Sequence, residues 1–227
     1  MKKIMLVCAA MIALSAMTAC KSGTATDNNR DWVDLGLPSG LLWASCNLGA
    51  SSPEEYGDYY AWGEVETKST YDWSTYKYAN GGYNQLTKYC NDPEYGHNGF
   101  TDNLTTLQPS DDAATQKLGS GARMPTADEW RELIDNTTAE WTTLNGVQGL
   151  NLTADNGASL FLPAAGKLLG DVLYGAGTVG WYWSSTLSEY HPLGAWYFGF
   201  NIDDQVRGLS PRADGLTVRA VRANNVN

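Results

Sequence analysis

Few residues of this sequence have the types and spacing that catalysis or metal binding requires. His97 and His191 are the only histidines, and no Cys-x-x-Cys or Gly-x-Ser-x-Gly pattern occurs. The sequence therefore predicts neither a zinc site nor a serine–histidine hydrolase. The adjacent acids Asp203 and Asp204 have the oxygen ligands that a hard cation takes, but adjacent acids in a turn are usually solvated. We predict no metal and no cofactor.

The acidic residues are the remaining candidates for chemistry. A glycoside hydrolase needs two carboxyl groups roughly 5–10 Å apart across a cleft, and the candidates are Glu64, Glu66, Glu129, Glu132 and Glu189. In an acidic chain some pair reaches that spacing by chance, and helix capping accounts for Glu129. We therefore predict no enzyme, and glycoside hydrolysis is the least favoured alternative.

The aromatic residues near the C-terminus are the more unusual feature. Residues 180–200 contain three Trp, three Tyr and two Phe, which is more aromatic surface than a soluble protein leaves uncovered. Strand alternation places Trp181 and Trp183 on the face opposite Tyr182. We expect Tyr182 and Trp183 to be mostly buried and residues 186–193 to form an exposed loop.

This loop and the strands after it form the predicted binding surface. A loop that carries tyrosine, histidine and an acid suits adaptable recognition, and nearby residues of both charges would complete a binding patch. The predicted site residues are Glu189, Tyr190, His191, Trp196, Asp203, Asp204, Arg207 and Arg212. The expected partner is a protein or a glycan, because an aromatic face beside polar groups also suits sugar stacking.

A small set of elements must position these residues. Two apolar runs within residues 32–45 flank a Pro-Ser-Gly turn and predict a β-hairpin. One helix is predicted at residues 110–118, and a second begins at the capping box Thr126 to Glu129. Residues 51–106 hold nine of the thirteen tyrosines but show no sustained period, which predicts packed irregular coil. Short strands in an antiparallel arrangement are predicted at residues 160–164, 180–185, 195–200, 206–210 and 216–222.

The N-terminus has the parts of a bacterial lipoprotein signal peptide. A basic start, a short apolar run and small residues precede Cys20, so residues 1–19 are the predicted signal peptide. We expect Cys20 to be acylated and to anchor the chain in the outer membrane, with the protein exposed at the cell surface. Residues 20–30 are small and polar, which predicts a flexible tether, and residues 31–223 are predicted to be one domain.

Charge and cysteine usage limit the partners and the covalent structure. The formal net charge is −10, which argues against a nucleic-acid partner and leaves the lipid anchor as the only membrane contact. Besides the lipidated cysteine, Cys46 and Cys90 remain in the predicted domain. The sequence leaves open whether they form a disulfide or are two separate buried residues.

Seven sequence blocks resemble a known family. In chain order they are WASCNLGA (43–50), YYAWGE (59–64), DDAA (111–114), RMPT (123–126), FLPAAG (161–166), YWSS (182–185) and VRAVR (218–222). They resemble the Fibrobacter succinogenes major paralogous domain, a family of surface lipoproteins, and the resemblance covers the predicted domain. The family pattern often ends Val-Arg-Pro-Val, and here Ala220 replaces the proline.

The resemblance implies an α+β, C-type-lectin-like domain with two helices, a small twisted antiparallel sheet and long irregular loops. It also implies that the C-terminal strands present the binding surface, which corresponds to residues 183–222. The predicted function is therefore a surface-anchored, non-catalytic ligand-binding or adhesion module. The alternative is a structural component of a fimbria-like assembly, in which exposed edge strands would dock a neighbour.

Overall fold

The computed structural model describes residues 31–119 and 121–224. Strands dominate the fold, with 38% of the described residues in strands and 11% in helices. The strands are β1 (Trp32–Asp34), β2 (Leu41–Ala44), β3 (Tyr59–Tyr60), β4 (Ala122–Arg123), β5 (Thr137–Leu144), β6 (Val147–Ala154), β7 (Ser159–Pro163), β8 (Lys167–Leu169), β9 (Val172–Tyr174), β10 (Gly180–Leu187), β11 (Gly194–Phe200), β12 (Gln205–Pro211), β13 (Leu216–Thr217) and β14 (Val221–Ala223). The helices are α1 (Ala113–Leu118) and α2 (Ala127–Asp135), with short 3-10 helices at His97–Gly99 and Pro109–Asp111.

The strands form four separate sheets. Their strand orders are β1-β2-β14-β4, β12-β11-β10-β13-β3, β5-β6-β7 and β8-β9. Neighbouring strands are antiparallel throughout, except that β10 and β13 are parallel. The five-stranded sheet carries the predicted binding segment, and β12 is its edge strand.

The prediction of an α+β, C-type-lectin-like domain is wrong. Within the described residues there are two α-helices against four separate sheets, and they do not form a clear lectin-like arrangement. The main reason is the segment from β5 to β9, for most of which no strand was predicted. Asn145-Gly146 closes the β5–β6 hairpin with positive φ at both residues, and Asn-Gly is the strongest short-range hairpin signal.

Several local predictions are confirmed. β1 and β2 pair as the expected hairpin. α2 begins at Thr126 with both hydrogen bonds of the capping box, to and from Glu129. The helix predicted at 110–118 is shorter than expected, because Asp112 rather than Ser110 caps α1 by accepting from the Thr115 amide at 2.9 Å.

The core consists of two large clusters on opposite faces of the β10–β11 pair. On one face Tyr182, Phe198 and Phe200 pack with Trp130 of α2, whose ring stacks on Phe198 at 5.0 Å. On the other face Trp183 packs with the tyrosine-rich coil of the N-terminal half. The alternation of neighbouring side chains along a strand explains this division, and the predicted burial of Tyr182 and Trp183 is confirmed.

The tyrosine-rich coil is fixed to this sheet by hydrogen bonds from buried rings. The indole N–H of Trp62 donates to the Ser184 carbonyl at 2.8 Å, and the Tyr76 hydroxyl donates to the Trp62 carbonyl at 2.7 Å. Residues 51–106 hold only short β3 and one 3-10 helix as regular elements. The prediction of packed irregular coil is therefore confirmed.

Two of the sequence predictions concern the cysteines and the N-terminal segment. Cys90 is a buried free thiol, so it does not form a disulfide with Cys46. The predicted signal peptide, Cys20 and the tether lie outside the described residues. Within the described residues, no helix has the length and apolar character needed to cross a bilayer.

Candidate functional site

A short loop between β10 and β11 displays three of the predicted site residues. Ser188 is buried, and its hydroxyl accepts from the Tyr190 amide at 3.1 Å, while its own amide donates to the Gly194 carbonyl at 3.0 Å. These bonds fix the backbone of a tight connection and turn Glu189, Tyr190 and His191 outwards, where all three are exposed. Tyr190 is 71% exposed, more than any other large hydrophobic side chain described.

Four of the predicted residues come together beside this loop, and we call them the Trp196 cluster. The indole N–H of Trp196 donates to the Glu189 carboxylate at 2.7 Å. The Tyr190 ring lies 6.3 Å from the indole, and the Arg207 guanidinium lies 5.5 Å from its centre. The cluster consists of Glu189, Tyr190, Trp196 and Arg207. It combines a ring with one acid and one base at the surface, a composition found at recognition sites.

An aromatic groove continues from this cluster. Its cavity volume is about 310 Å³, at the lower end of the range for ligand pockets. Its lining combines Trp73, Tyr83, His191, Leu193, Leu209 and Pro211 with the strand residues Gly194 and Ser210. Leu209 is the register partner of Trp196 across β11 and β12, so this one residue both neighbours the Trp196 cluster and lines the groove.

The His191 ring in the groove is oriented by neighbours on two sides. Its Nδ1 accepts from the Leu193 amide at 3.3 Å, which makes Nε2 the protonated nitrogen of the neutral ring. The ring also stacks with Tyr95 at 6.4 Å. His191 therefore presents an N–H donor in a fixed orientation.

Arg212, predicted to be a binding residue, instead lies in the interior. It is fully buried, and its guanidinium donates to the carbonyls of Lys88, Tyr89 and Pro192 at 3.1, 2.6 and 3.0 Å. A fourth bond reaches the Tyr76 hydroxyl at 3.1 Å. Arg212 thus joins the β10–β11 loop to the tyrosine-rich coil and does not reach a partner at the surface.

Asp203 and Asp204 are exposed but are not brought to the site. They lie in the turn between β11 and β12, where both amides donate to the Asn201 side chain at 2.7 and 2.8 Å. Trp196 lies four residues before the end of β11 and Arg207 three residues after Asp204, so the cluster is about 10–13 Å from the turn at the usual rise per residue. The contacts that hold the cluster together involve neither aspartate. No group of three or more His, Cys, Asp or Glu side chains in the described part of the chain is placed to hold a metal.

The other carboxylates considered for chemistry are engaged elsewhere. Glu64 pairs with Lys68 at 2.9 Å, Glu66 pairs with Lys117 at 2.7 Å, and Glu132 accepts from the Ser39 amide at 2.8 Å. Each of these three carboxylates therefore has a structural partner.

Glu129 caps α2 and is also held by Arg123. Both guanidinium nitrogens of Arg123 contact the carboxylate, at 2.5 and 2.7 Å. Burial alone would raise the pKa of Glu129, but the bonds from Arg123 and Thr126 hold that pKa below its usual value.

A buried polar network that the sequence analysis missed lies in the tyrosine-rich coil. The Asp111 carboxylate accepts from the hydroxyls of Tyr78 and Tyr89 at 2.5 and 2.6 Å, and from Lys88 at 2.6 Å. Burial alone would raise the pKa of Asp111, but the bonds from Lys88, Tyr78 and Tyr89 hold that pKa below its usual value. The network fixes the coil segment that contributes part of the groove.

Sequence reasoning also missed Trp73 and Tyr83, which line the groove from the tyrosine-rich coil. Both lie in the coil without periodicity, so no local pattern marks them as binding residues.

No protein-family model, no curated protein and no solved structure matches this chain.

Proposed function

We propose that this chain is a non-catalytic module that binds a protein or a glycan at the exposed end of β11 and β12. The observation that carries the proposal is the Trp196 cluster beside the groove. There, rings and charged groups from a short loop and two strands lie together at the surface. Recognition surfaces commonly place aromatic and arginine side chains on a rigid framework in this way.

The framework that carries the Trp196 cluster is held in place from two sides, and this order supports a role in binding. Arg212 fixes the Pro192 end of the loop from the inside, and the Ser188 hydroxyl fixes its start. A surface that is already ordered loses little conformational entropy when a partner binds. The exposed Tyr190 ring is then a suitable anchor, because a tyrosine has few rotatable bonds for its contact area.

The test is binding by the full chain to host mucus, neighbouring cells and a glycan array. Tyr190→Ala and Trp196→Ala are expected to reduce capture strongly. Tyr174→Ala removes an exposed ring elsewhere, on β9, and should leave capture unchanged. Melting temperatures confirm that each variant is folded. Equal capture by all four proteins would refute the proposal.

We further propose that the module is a surface lipoprotein anchored through Cys20. The signal-like N-terminus supports this proposal, as does the resemblance of seven sequence blocks to the Fibrobacter succinogenes major paralogous domain. Cys20→Ser is expected to abolish incorporation of a labelled fatty acid and to release the protein from the membrane fraction. Protease treatment of whole cells should remove the protein, and complete protection would contradict outward exposure.

A role in a fimbria-like assembly is the second candidate, and β12 supports it. This strand is the sheet edge, and it exposes Val206 and Leu209. An exposed edge strand can pair with a strand of a neighbouring molecule. Steady growth of polymers in sedimentation of the purified protein would favour assembly, whereas a single sedimenting species would favour the binding module.

A further inference from the structure

We infer that the groove beside the Trp196 cluster binds the apolar face of an uncharged sugar ring. The inference rests on the proposed function and names the ligand class for one part of the same surface. It adds Trp73 and Tyr83, from the tyrosine-rich coil, to the residues that contact the ligand. Its four supports are the charge of the groove, its rings, the polar groups at its rim and its size.

The lining of the groove selects against charged ligands. The chain has forty Asp, Glu, Lys and Arg residues and a net charge of −10, yet none of these side chains is among the described residues that line the groove. A phosphorylated or sulfated ligand would find no cationic partner there. A ligand cation would find no carboxylate. An uncharged ligand avoids the desolvation cost of an unpaired charge.

The rings suit the C–H groups of a sugar. The face of an aromatic ring carries partial negative charge, and the C–H groups on one side of a pyranose carry partial positive charge. Tyr83 is 54% exposed, so its ring is accessible to a ligand. Trp73 is held edge-on against Tyr76 at 5.5 Å, and this contact orients its ring before any ligand binds.

Polar groups at the rim can accept and donate to sugar hydroxyls. The Nε2–H of His191 is a donor inside the groove, because Nδ1 is used by the Leu193 amide. Beyond Leu209, Glu189 and Arg207 of the Trp196 cluster offer an acceptor and donors.

The size of the groove favours a sugar over a peptide. At about 310 Å³ it matches the smallest ligand pockets. A proline-rich peptide, the other uncharged ligand that aromatic grooves take, adopts an extended helix rising about 3.1 Å per residue. Such a peptide is bound over several residues, about 10 Å or more of its length, so it is the less suitable occupant of a cavity of this small volume.

The experiment screens the full chain against an array of uncharged and sulfated glycans and proline-rich peptides. Titration of the best uncharged oligosaccharide, followed by NMR, then gives its affinity. We expect Tyr83→Ala to weaken binding roughly 10-fold, which corresponds to one lost ring contact. Tyr83→Phe keeps the ring and should bind within about twofold of wild type. Tyr174→Ala is the matched control, an exposed tyrosine outside the groove, and should bind normally.

Leu209→Asp provides a second, independent variant, since it places a charge in the uncharged groove and should also weaken binding. Preference for sulfated glycans or proline-rich peptides would overturn the inference. So would sugar binding that is unchanged in both Tyr83→Ala and Leu209→Asp. If no glycan binds but a protein partner is lost in Tyr190→Ala, the inference fails while the proposed function stands. If no tested partner binds, both fail.

Discussion

Replacing Arg212 should destabilise the protein even though the residue contributes nothing to the exposed surface. In Arg212→Met the carbonyls of Lys88, Tyr89 and Pro192 lose their donor. A buried polar group without a partner costs about 1–3 kcal/mol. We take the low end for each carbonyl, because burying the guanidinium itself carries a desolvation penalty that the substitution removes. The expected loss in the free energy of unfolding is about 3 kcal/mol.

For a domain of this size, 1 kcal/mol corresponds to a change in melting temperature of about 2–4 °C. Arg212→Met should therefore melt about 6–12 °C below wild type, as followed by near-ultraviolet circular dichroism. The melting temperature of Arg212→Lys should lie between those of wild type and Arg212→Met, because an ammonium cannot reproduce the planar fork of the guanidinium.

Arg207→Met is the matched control, since Arg207 is an exposed arginine five residues earlier in the chain. Its contact with the Trp196 ring is worth about 0.5–1 kcal/mol, so its melting temperature should fall by no more than about 4 °C. A melting temperature of Arg212→Met within about 2 °C of wild type would refute the reasoning. The three carbonyls would then have found other partners, and the arginine would not hold the loop in place.

Three further predictions test the framework around the site. Thr126→Ala removes the N-cap of α2 and should cost about 1 kcal/mol in urea unfolding, whereas Thr101→Ala, in an exposed loop, should cost nothing measurable. The lowered pKa of Asp111 means that its ionised form stabilises the fold above the unfolded value of about 3.9 and that this contribution is lost as the pH falls through the folded pKa. Asp111→Asn should therefore be less stable at pH 7 and lose less stability below pH 4 than wild type; parallel pH profiles would contradict this assignment. Truncation before Val221 removes β14 and should leave a chain that proteases degrade rapidly, while truncation after Asn224 should remain resistant.

The elements with strong local signals could be predicted from the sequence. The capping box specified the start of α2, and strand alternation placed Tyr182 and Trp183 on opposite faces of β10. The β5–β6 hairpin had an equally strong signal in Asn145-Gly146, so that error came from an overlooked turn and not from missing information. The prediction of the fold class was wrong for the same reason. The strands between β5 and β9 that were not predicted raise the share of sheet relative to helix.

The composition of the site was only partly predictable. Glu189, Tyr190, Trp196 and Arg207 belong to one loop and two adjacent strands, so sequence proximity was enough to group them. The role of Arg212 depends on carbonyls more than a hundred residues earlier in the chain. Trp73 and Tyr83 reach the groove through packing of an irregular coil. No local pattern encodes such long-range contacts.

The position of β14 has a consequence for how the protein is made. β14 lies between β2 and β4, so the sheet begun by Trp32 is completed only when Val221–Ala223 arrives. A nascent polypeptide on the ribosome lacks that strand and cannot close the sheet. Synthesis of nearly the whole chain must therefore precede completion of this sheet, whereas the strands of the other three sheets are all made before β14.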